Sequence, residues 1–158
     1  MKALLVEAVP CEMVRQLRPE AYIGYKIGDC SVIEHILLAE GKPVRRTRSC
    51  ETCVLGQLVR HGHLLAPPTL TRQGLMRFIV SDTRETRRTL KRFRDQVVRV
   101  EEESISAVTL SPRQREAVSL LAGSASNISR LARELGISKT AAWKLVKKSL
   151  QKLAKLHA

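Results

Sequence analysis

The chain has few aromatic residues and no long apolar segment, and both absences restrict what it can be. Only five of its 158 residues are Phe, Tyr or Trp, so aliphatic side chains must build most of a core. No apolar run reaches the roughly 18 residues of a membrane span. The first ten residues, MKALLVEAVP, lack the apolar region and cleavage site of a signal peptide. These absences predict a cytoplasmic protein with no membrane partner.

The sequence also lacks the short motifs that accompany common enzymatic chemistry. It contains no Ser-centred nucleophile elbow, no glycine-rich phosphate loop and no pair of carboxylates at an informative spacing. Three consecutive glutamates occupy residues 101–103, and their side chains would point in different directions. We therefore expect no enzymatic activity, and we expect this acidic stretch to be exposed.

Positive charge is what the sequence has in excess. It carries 28 Lys and Arg against 15 Asp and Glu, a net charge of +13. Residues 109–158 hold ten of these cations against two Glu, a net +8, whereas residues 1–108 hold eighteen against thirteen acidic residues, a net +5. A basic segment of this density is the electrostatic footprint expected for contact with phosphates.

The basic segment contains a pattern typical of a helix-turn-helix. Across residues 127–153, apolar side chains recur at helical spacing on both sides of Gly136. Ala132 is small where a second helix would cross, Gly136 permits the left-handed conformation that ends the first helix, and Ser138 can cap the second. Ile137 can fill the angle between them. The second helix of this motif is the one that enters the DNA major groove.

That second helix predicts which side chains contact DNA. No carboxylate follows Lys139 in the sequence. Residues near the helix start should face base edges, and more distal cations should contact phosphates. The expected groove residues are Ser138, Lys139, Thr140, Trp143 and Lys144, and the expected phosphate residues are Lys147, Arg113, Arg115 and Arg130. Because the groove set has no Arg, Asn or Gln, specificity should lean on DNA shape or on two half-sites bound by a homodimer.

Two features of the predicted second helix have alternative interpretations. Trp143 could contact the DNA backbone or pack against the first helix of the domain. The whole second helix could instead be a solvated amphipathic element in a helical bundle.

Short apolar runs and helical segments alternate through the first hundred residues. The pattern predicts the fold class α+β, with an N-terminal α/β sandwich of β-α-β units, ferredoxin-like or related, followed by a C-terminal all-α helix-turn-helix domain. The predicted strands are 2–9, 21–28, 75–80 and 96–101, the segment 31–39 is predicted as a helix, and 42–48 as a basic edge strand or a loop.

The composition shift at residues 101–106, EEESIS, marks the expected domain boundary. We place an α/β domain at 1–103, a linker at 104–108 and the DNA-binding domain at 109–158. The N-terminal domain is expected to sense a signal, with a small-molecule ligand as one option, or to mediate dimerisation.

Four cysteines in a chain of this class predict thiols, a metal site or redox chemistry before structural disulfides. Cys50 and Cys53 have the spacing of half a zinc site. The residues that could form the site are Cys30, Cys50, Cys53, His61 and His63. The alternatives are a redox pair at a helix start, which lowers thiol pKa values, and cysteines with no cofactor. Cys11 is too distant in sequence to be assigned by spacing, and His35 is expected to be solvated or hydrogen-bonded.

Residues 109–118, TLSPRQREAV, and 131–153, LARELGISKTAAWKLVKKSLQKL, resemble the archaeal transcription regulators of the bacterio-opsin activator type. The resemblance extends more weakly to the Cys-x-x-Cys at Cys50, to the glycine turn and strand at 74–80, and to the helix and strand up to Glu101. It implies an α/β domain before a DNA-binding helix-turn-helix domain. The chain departs from the pattern in its short GSASN connection at 123–127 and in having Trp143 where a small or polar residue is usual.

The residues leave two other functions open. One is a metal- or thiol-dependent sensor that uses Cys50 and Cys53. The other is a general nucleic-acid-binding protein, acting on RNA or as an architectural DNA binder through the same basic helix.

Overall fold

The computed structural model describes residues 1–29 and 32–157, which form two compact units divided between Ser104 and Ile105. The architecture is α+β. Within the described residues, no helix combines the length and the apolar content that crossing a bilayer requires. In chain order the elements are β1 (Lys2–Ala8), α1 (Glu12–Leu17), β2 (Ala21–Ile27), β3 (Val32–Ala39), β4 (Lys42–Ser49), α2 (Val54–Arg60), β5 (Thr69–Leu70), β6 (Met76–Ser81), α3 (Arg84–Arg92), β7 (Val97–Ser104), α4 (Ile105–Val108), α5 (Pro112–Ala122), α6 (Ile128–Leu135) and α7 (Lys139–His157).

A four-stranded antiparallel sheet in the order β5-β6-β1-β7 organises the N-terminal unit. β1 is central, and Val6 pairs with Phe78 of β6 on one side and with Val100 of β7 on the other. Since β6 and β7 both run antiparallel to β1, they are parallel to each other, and α3 joins them in a split β-α-β unit. β1 and β5 also lie on either side of an antiparallel strand, β6, so they are parallel to each other. The helix α2 precedes β5 in the chain. The expected β-α-β units are therefore present in split form.

The second sheet shows that the helix predicted over residues 31–39 is wrong. Apart from Ser31, which lies outside the described residues, this segment is β3, the centre of a three-stranded antiparallel sheet in the order β2-β3-β4. Ile33, His35, Leu37 and Ala39 are buried and alternate with more exposed residues. Burial of every second residue is the pattern of a strand. The same apolar residues also fit helical spacing, but hydrogen bonding to β2 and β4 stabilises the strand. Residues 42–48 adopt the strand alternative, as β4.

β7 continues beyond the predicted end of its strand at residue 101, through the acidic stretch to Ser104. These glutamates lie in a strand that pairs with β1. Glu102 accepts a hydrogen bond from Arg87 at 2.6 Å and lies 3.4 Å from the Lys2 ammonium. The Arg87 hydrogen bond, followed by Lys2, holds the pKa of Glu102 below its usual range. Residues 104–108, predicted as the linker, contain the last residue of β7 and the helix α4.

Each unit has its own hydrophobic core, and both are largely aliphatic. Burying one such side chain contributes on the order of 1.5–3 kcal/mol. In the N-terminal unit, residues from both sheets and from α2 share one cluster, which includes Leu4, Val6, Ile33, Leu37, Val54, Leu58, Phe78 and Val80. In the helical unit, the buried cluster is Ala117, Ala125, Leu131, Ala132, Leu135, Ala142 and Val146.

Candidate nucleic-acid interface

The turn between α6 and α7 is closed by backbone geometry that favours a glycine. Gly136 has φ 65° and ψ 35°, in the left-handed region. Its N–H donates to the Arg133 carbonyl at 3.2 Å, and the Ile137 N–H donates to the Ala132 carbonyl at 3.0 Å, which together form a Schellman C-cap. Ser138 Oγ accepts a backbone N–H from the first turn of α7 at 3.1 Å. The chain therefore ends one helix and begins the next within three residues.

Replacing Gly136 tests this turn. We expect Gly136→Ala to lower the stability of the helical unit by roughly 1–2 kcal/mol, because an L-residue with a Cβ is strained in the left-handed conformation. Gly136→Asn is the matched control, since Asn tolerates this conformation better, and it should lose less. Urea unfolding followed by helical circular dichroism measures both. Equal losses for the two variants would contradict the role of the left-handed backbone.

Small buried residues allow the three helices to approach closely. Ala117 of α5, Ala132 of α6 and Ala142 of α7 are all buried in the same cluster. A larger side chain at any of these positions would overpack the junction. The close packing fixes the position of α7 and therefore determines which of its faces remains exposed.

The exposed face of α7 carries the predicted groove residues. Lys139, Thr140, Trp143, Lys144, Lys147 and Lys148 are all exposed, and we call these six residues the basic face. Lys139, Trp143 and Lys147 follow one another at intervals of four residues, as do Thr140, Lys144 and Lys148, so they form two adjacent rows along the helix. Ala142, Val146 and Ser149 are buried on the other side.

Trp143 lies on this basic face and is 53% exposed, so it is not buried against the first helix of the domain. An exposed indole costs hydrophobic free energy in a monomer unless a partner covers it. Its neighbours one turn away are both lysines. The surface is therefore apolar at one point and cationic around it.

The three predicted phosphate-binding arginines outside α7 are exposed but differ in their contacts. Arg113 on α5 donates to the Leu135 carbonyl at the end of α6 at 3.0 Å, so it also holds these helices together. Arg130 on α6 pairs with Glu134 at 3.2 Å. Exposed pairs of this kind contribute about 0–1 kcal/mol, so a phosphate could displace Glu134 at small cost. Arg115 is exposed on α5.

One cation that sequence analysis did not single out is fixed within the fold. Lys152 donates from its ammonium group to the Thr109 carbonyl and to Gln114 Oε1, each at 2.9 Å. Gln114 is in turn the partner of Ser111 in the capping box that begins α5. Lys152 therefore links α7 to the start of α5. Of the α7 lysines, it has the clearest structural role.

A second cluster of chemically reactive side chains lies in the N-terminal unit. Cys11, Cys50, Cys53 and His35 line one small cavity of about 10 Å³. His35 Nε2 lies 3.2 Å from Cys50 Sγ, and His35 Nδ1 lies 2.6 Å from the Tyr22 hydroxyl. The structure thus brings Cys50 and Cys53 together with two residues that spacing did not identify. The alternation of β3 could have placed His35 on a buried face, but no local pattern points to Cys11.

The predicted metal ligands His61 and His63 do not line this cavity. Their ring centroids lie 6.0 Å apart beyond the end of α2, and Cys30 lies outside the described residues. Among the residues that the structure describes, no three His, Cys, Asp or Glu side chains stand ready to hold a metal ion. A zinc site with these ligands stays a prediction.

Burial favours the neutral forms of Cys50, Cys53 and His35. It raises the pKa of the Cys50 thiol to about 11, with Cys53 and Cys11 adding to the effect. Burial also raises the pKa of Cys53, against the opposing influence of the backbone N–H groups of Gly56 and Leu55, and it lowers the pKa of His35. Nucleophilic redox cysteines require a lowered thiol pKa. The environment of Cys50 and Cys53 therefore does not favour a redox pair.

A larger cavity of about 570 Å³ lies between the end of α1 and the β5–β6 turn. Three guanidinium side chains line it together with apolar residues, and its volume is in the range of small-molecule sites. The basic lining residues are Arg15, Arg18 and Arg72, and the apolar ones include Val14, Leu70 and Leu75.

Comparison of the chain with protein-family models, with curated proteins and with solved structures finds no match. What the chain does is therefore inferred from its own residues.

Proposed function

We propose that this chain is a sequence-specific transcription regulator that binds double-stranded DNA through a helix-turn-helix formed by α6 and α7. The observation that carries the proposal is the basic face of α7, which follows a tight Schellman turn and has no acidic residue on its helix. An amphipathic helix that served only to cover a core would not require an exposed tryptophan among its lysines. A nucleic-acid duplex would pair its phosphates with the lysines and could cover the tryptophan with a sugar or base edge.

In the proposed complex the start of α7 lies in the major groove. Lys139 and Lys144 can donate to the O6 and N7 acceptors of guanine, and the Thr140 methyl can contact the thymine methyl. Lys147 and Lys148 lie further along the helix, where the groove wall presents phosphates. Trp143, which lies between Lys139 and Lys147 in one row of the basic face, packs against sugar or base edges. Arg115 and Arg130 extend the phosphate contacts to α5 and α6.

The N-terminal unit is proposed to sense a signal or to mediate dimerisation. Its split β-α-β units are those of a ferredoxin-like sheet, with β2-β3-β4 inserted, and the order of domains is that of bacterio-opsin activator-type regulators. The 570 Å³ cavity offers space for a ligand. Val98 and Val100 on the edge strand β7 and Leu150 on α7 are exposed apolar residues that a second copy could cover.

Selection from a random duplex DNA library at near-physiological salt tests the proposed function. The full chain should enrich one shared sequence, and a homodimer should enrich it as two half-sites at a spacing of about one helical turn or a multiple of it. Uniform retention of all sequences would instead favour an architectural role. Equal affinity for single-stranded RNA and duplex DNA would favour the RNA-binding alternative.

A further inference from the structure

We propose that the larger cavity of the N-terminal unit, about 570 Å³ in volume, binds a small organic anion with a carboxylate or phosphate group on an apolar body. The cavity lies between the end of α1 and the turn that joins β5 to β6, and the side chains of Arg15, Arg18 and Arg72 line it. The proposal rests on the sensing role in the proposed function, because this anion would be the signal. Its test needs no DNA, so anion binding and DNA binding can each fail without the other.

The cationic lining of the cavity is not neutralised from within the chain. None of the three guanidinium groups forms an ion pair with a carboxylate of residues 1–29 or 32–157. Among the described lining residues the one carboxylate is that of Glu20, whose Oε1 already accepts the Gly41 N–H at 2.9 Å. Three cations against one carboxylate leave a net charge of +2. Because a guanidinium group binds carboxylate or phosphate through paired N–H donors, this lining favours an anion.

Arg18 lines the cavity in a backbone conformation that costs free energy. Its φ of 45° and ψ of 56° lie in the left-handed region, at the residue that ends α1, and its N–H donates to the Val14 carbonyl at 3.1 Å. Glycine or asparagine adopts this conformation at lower cost than arginine. Strained residues of this kind are concentrated at binding and catalytic sites. A binding role for the Arg18 guanidinium accounts for the strain.

The turn between β5 and β6 forms a wall of the cavity that is held in place before a ligand arrives. The Thr71 N–H donates to the Leu75 carbonyl at 2.8 Å, and the Gly74 N–H donates to the Thr71 carbonyl at 3.0 Å. The Leu75 N–H donates to Thr71 Oγ1 at 3.1 Å. These three hydrogen bonds close the turn that carries Arg72. A preformed wall loses less conformational entropy when a ligand binds.

The size and the apolar part of the lining define the body of the ligand. Pro10 and Val14 are buried, and Leu70 and Leu75 are partly buried. The volume lies within the roughly 300–1,000 Å³ that is typical of sites for small organic molecules. An inorganic anion would leave most of this space unfilled. An aliphatic or aromatic body attached to the anionic group would cover the apolar side chains.

Fluorescence titration of the full chain with anilinonaphthalene sulfonate, an organic anion with an aromatic body, tests the proposal. We expect one saturable site per chain. The double variant Arg18→Asn, Arg72→Gln should weaken the affinity at least about tenfold, because it removes two donors of charge-assisted hydrogen bonds. Asn is the replacement at residue 18 because it tolerates the left-handed backbone, so the variant should keep its circular dichroism spectrum and its denaturant midpoint. If the double variant fails to fold, Arg72→Gln alone decides and should weaken the affinity at least about threefold.

The matched control, Lys139→Ala, Lys144→Ala, removes the same charge from the basic face. It should leave the affinity for the probe unchanged. Equal losses in the two double variants would assign the binding to net charge and overturn the proposal. Absence of a saturable site in the native chain would overturn it as well.

Competition against the bound probe identifies the group that the cavity recognises. Octanoate or octyl phosphate should displace the probe, and the stronger competitor identifies the anionic group, whereas neutral octanamide should compete at least about tenfold more weakly. Equal competition by octanamide would mean that the cavity recognises only an apolar body. Inorganic phosphate that competes as well as octyl phosphate would mean that it recognises only the anion. Either result, or displacement by none of these compounds, would overturn the proposal.

Discussion

The double variant Lys139→Ala, Lys144→Ala should bind its selected duplex DNA at least about 30-fold more weakly than the native chain. Each contact of this kind contributes on the order of 1–3 kcal/mol, and 1.4 kcal/mol corresponds to a factor of ten. Both side chains are exposed on the first turns of α7, so their removal should leave the fold intact. Fluorescence anisotropy at several salt concentrations measures the affinity. If either lysine contacts a phosphate, the salt dependence should also decrease.

The matched control removes the same charge from the other unit. Lys91→Ala, Arg94→Ala lowers the net charge by two at exposed positions on and beyond α3. It should change affinity only slightly, and equally for all sequences. If both double variants lose affinity to the same extent, binding depends on net charge rather than on the basic face. The regulator proposal would then give way to a general nucleic-acid contact.

Gly56→Ala should destabilise the N-terminal unit by several kcal/mol or prevent its folding. A Cβ at this position would overlap both the Cβ and the carbonyl oxygen of Cys50, so α2 or the preceding turn would have to move. Overpacking in a buried site typically costs about 1–3 kcal/mol, and more where backbone is in the way. Denaturant unfolding of the full chain measures the loss.

Gly24→Ala is the matched control, because a Cβ at that position meets no atom within 4 Å. It should change stability by less than about 1 kcal/mol, since Ala loses less backbone entropy than Gly. A comparable loss in both glycine variants would mean that close packing of α2 against Cys50 is not the cause.

The geometry of α6 and α7 could be predicted because its causes are local in sequence. Gly136, Ser138 and the apolar residues around them lie close together in sequence. Gly136 ends α6 and Ser138 caps α7 through neighbouring backbone groups, so a local pattern predicts the turn. β3 could not be distinguished from a helix because the residues of VIEHILLA fit both periods. Pairing with β2 and β4 decides the conformation, and those strands are not visible in the pattern of β3 itself.

The continuation of β7 beyond residue 101 was missed for a similar reason. Residues 101–103 have the composition of a solvated linker, but their partners, β1 and Arg87, are distant in sequence or lie on another element. The cysteine cluster is predictable only in part. The spacing of Cys50 and Cys53 is a local pattern, whereas their association with Cys11 and His35 arises only when α1, β3 and the turn before α2 pack together.

The central claim, that α7 reads the major groove, is tested most directly by interference on the selected duplex. Methylation of guanine N7 places a group in the major groove, whereas a minor-groove ligand such as netropsin leaves that groove open. The proposed complex predicts that N7 methylation at specific guanines blocks binding and that netropsin in the minor groove of the same site does not. Block by netropsin with tolerance of N7 methylation would place the protein in the minor groove and contradict the assignment of Lys139, Lys144 and Trp143.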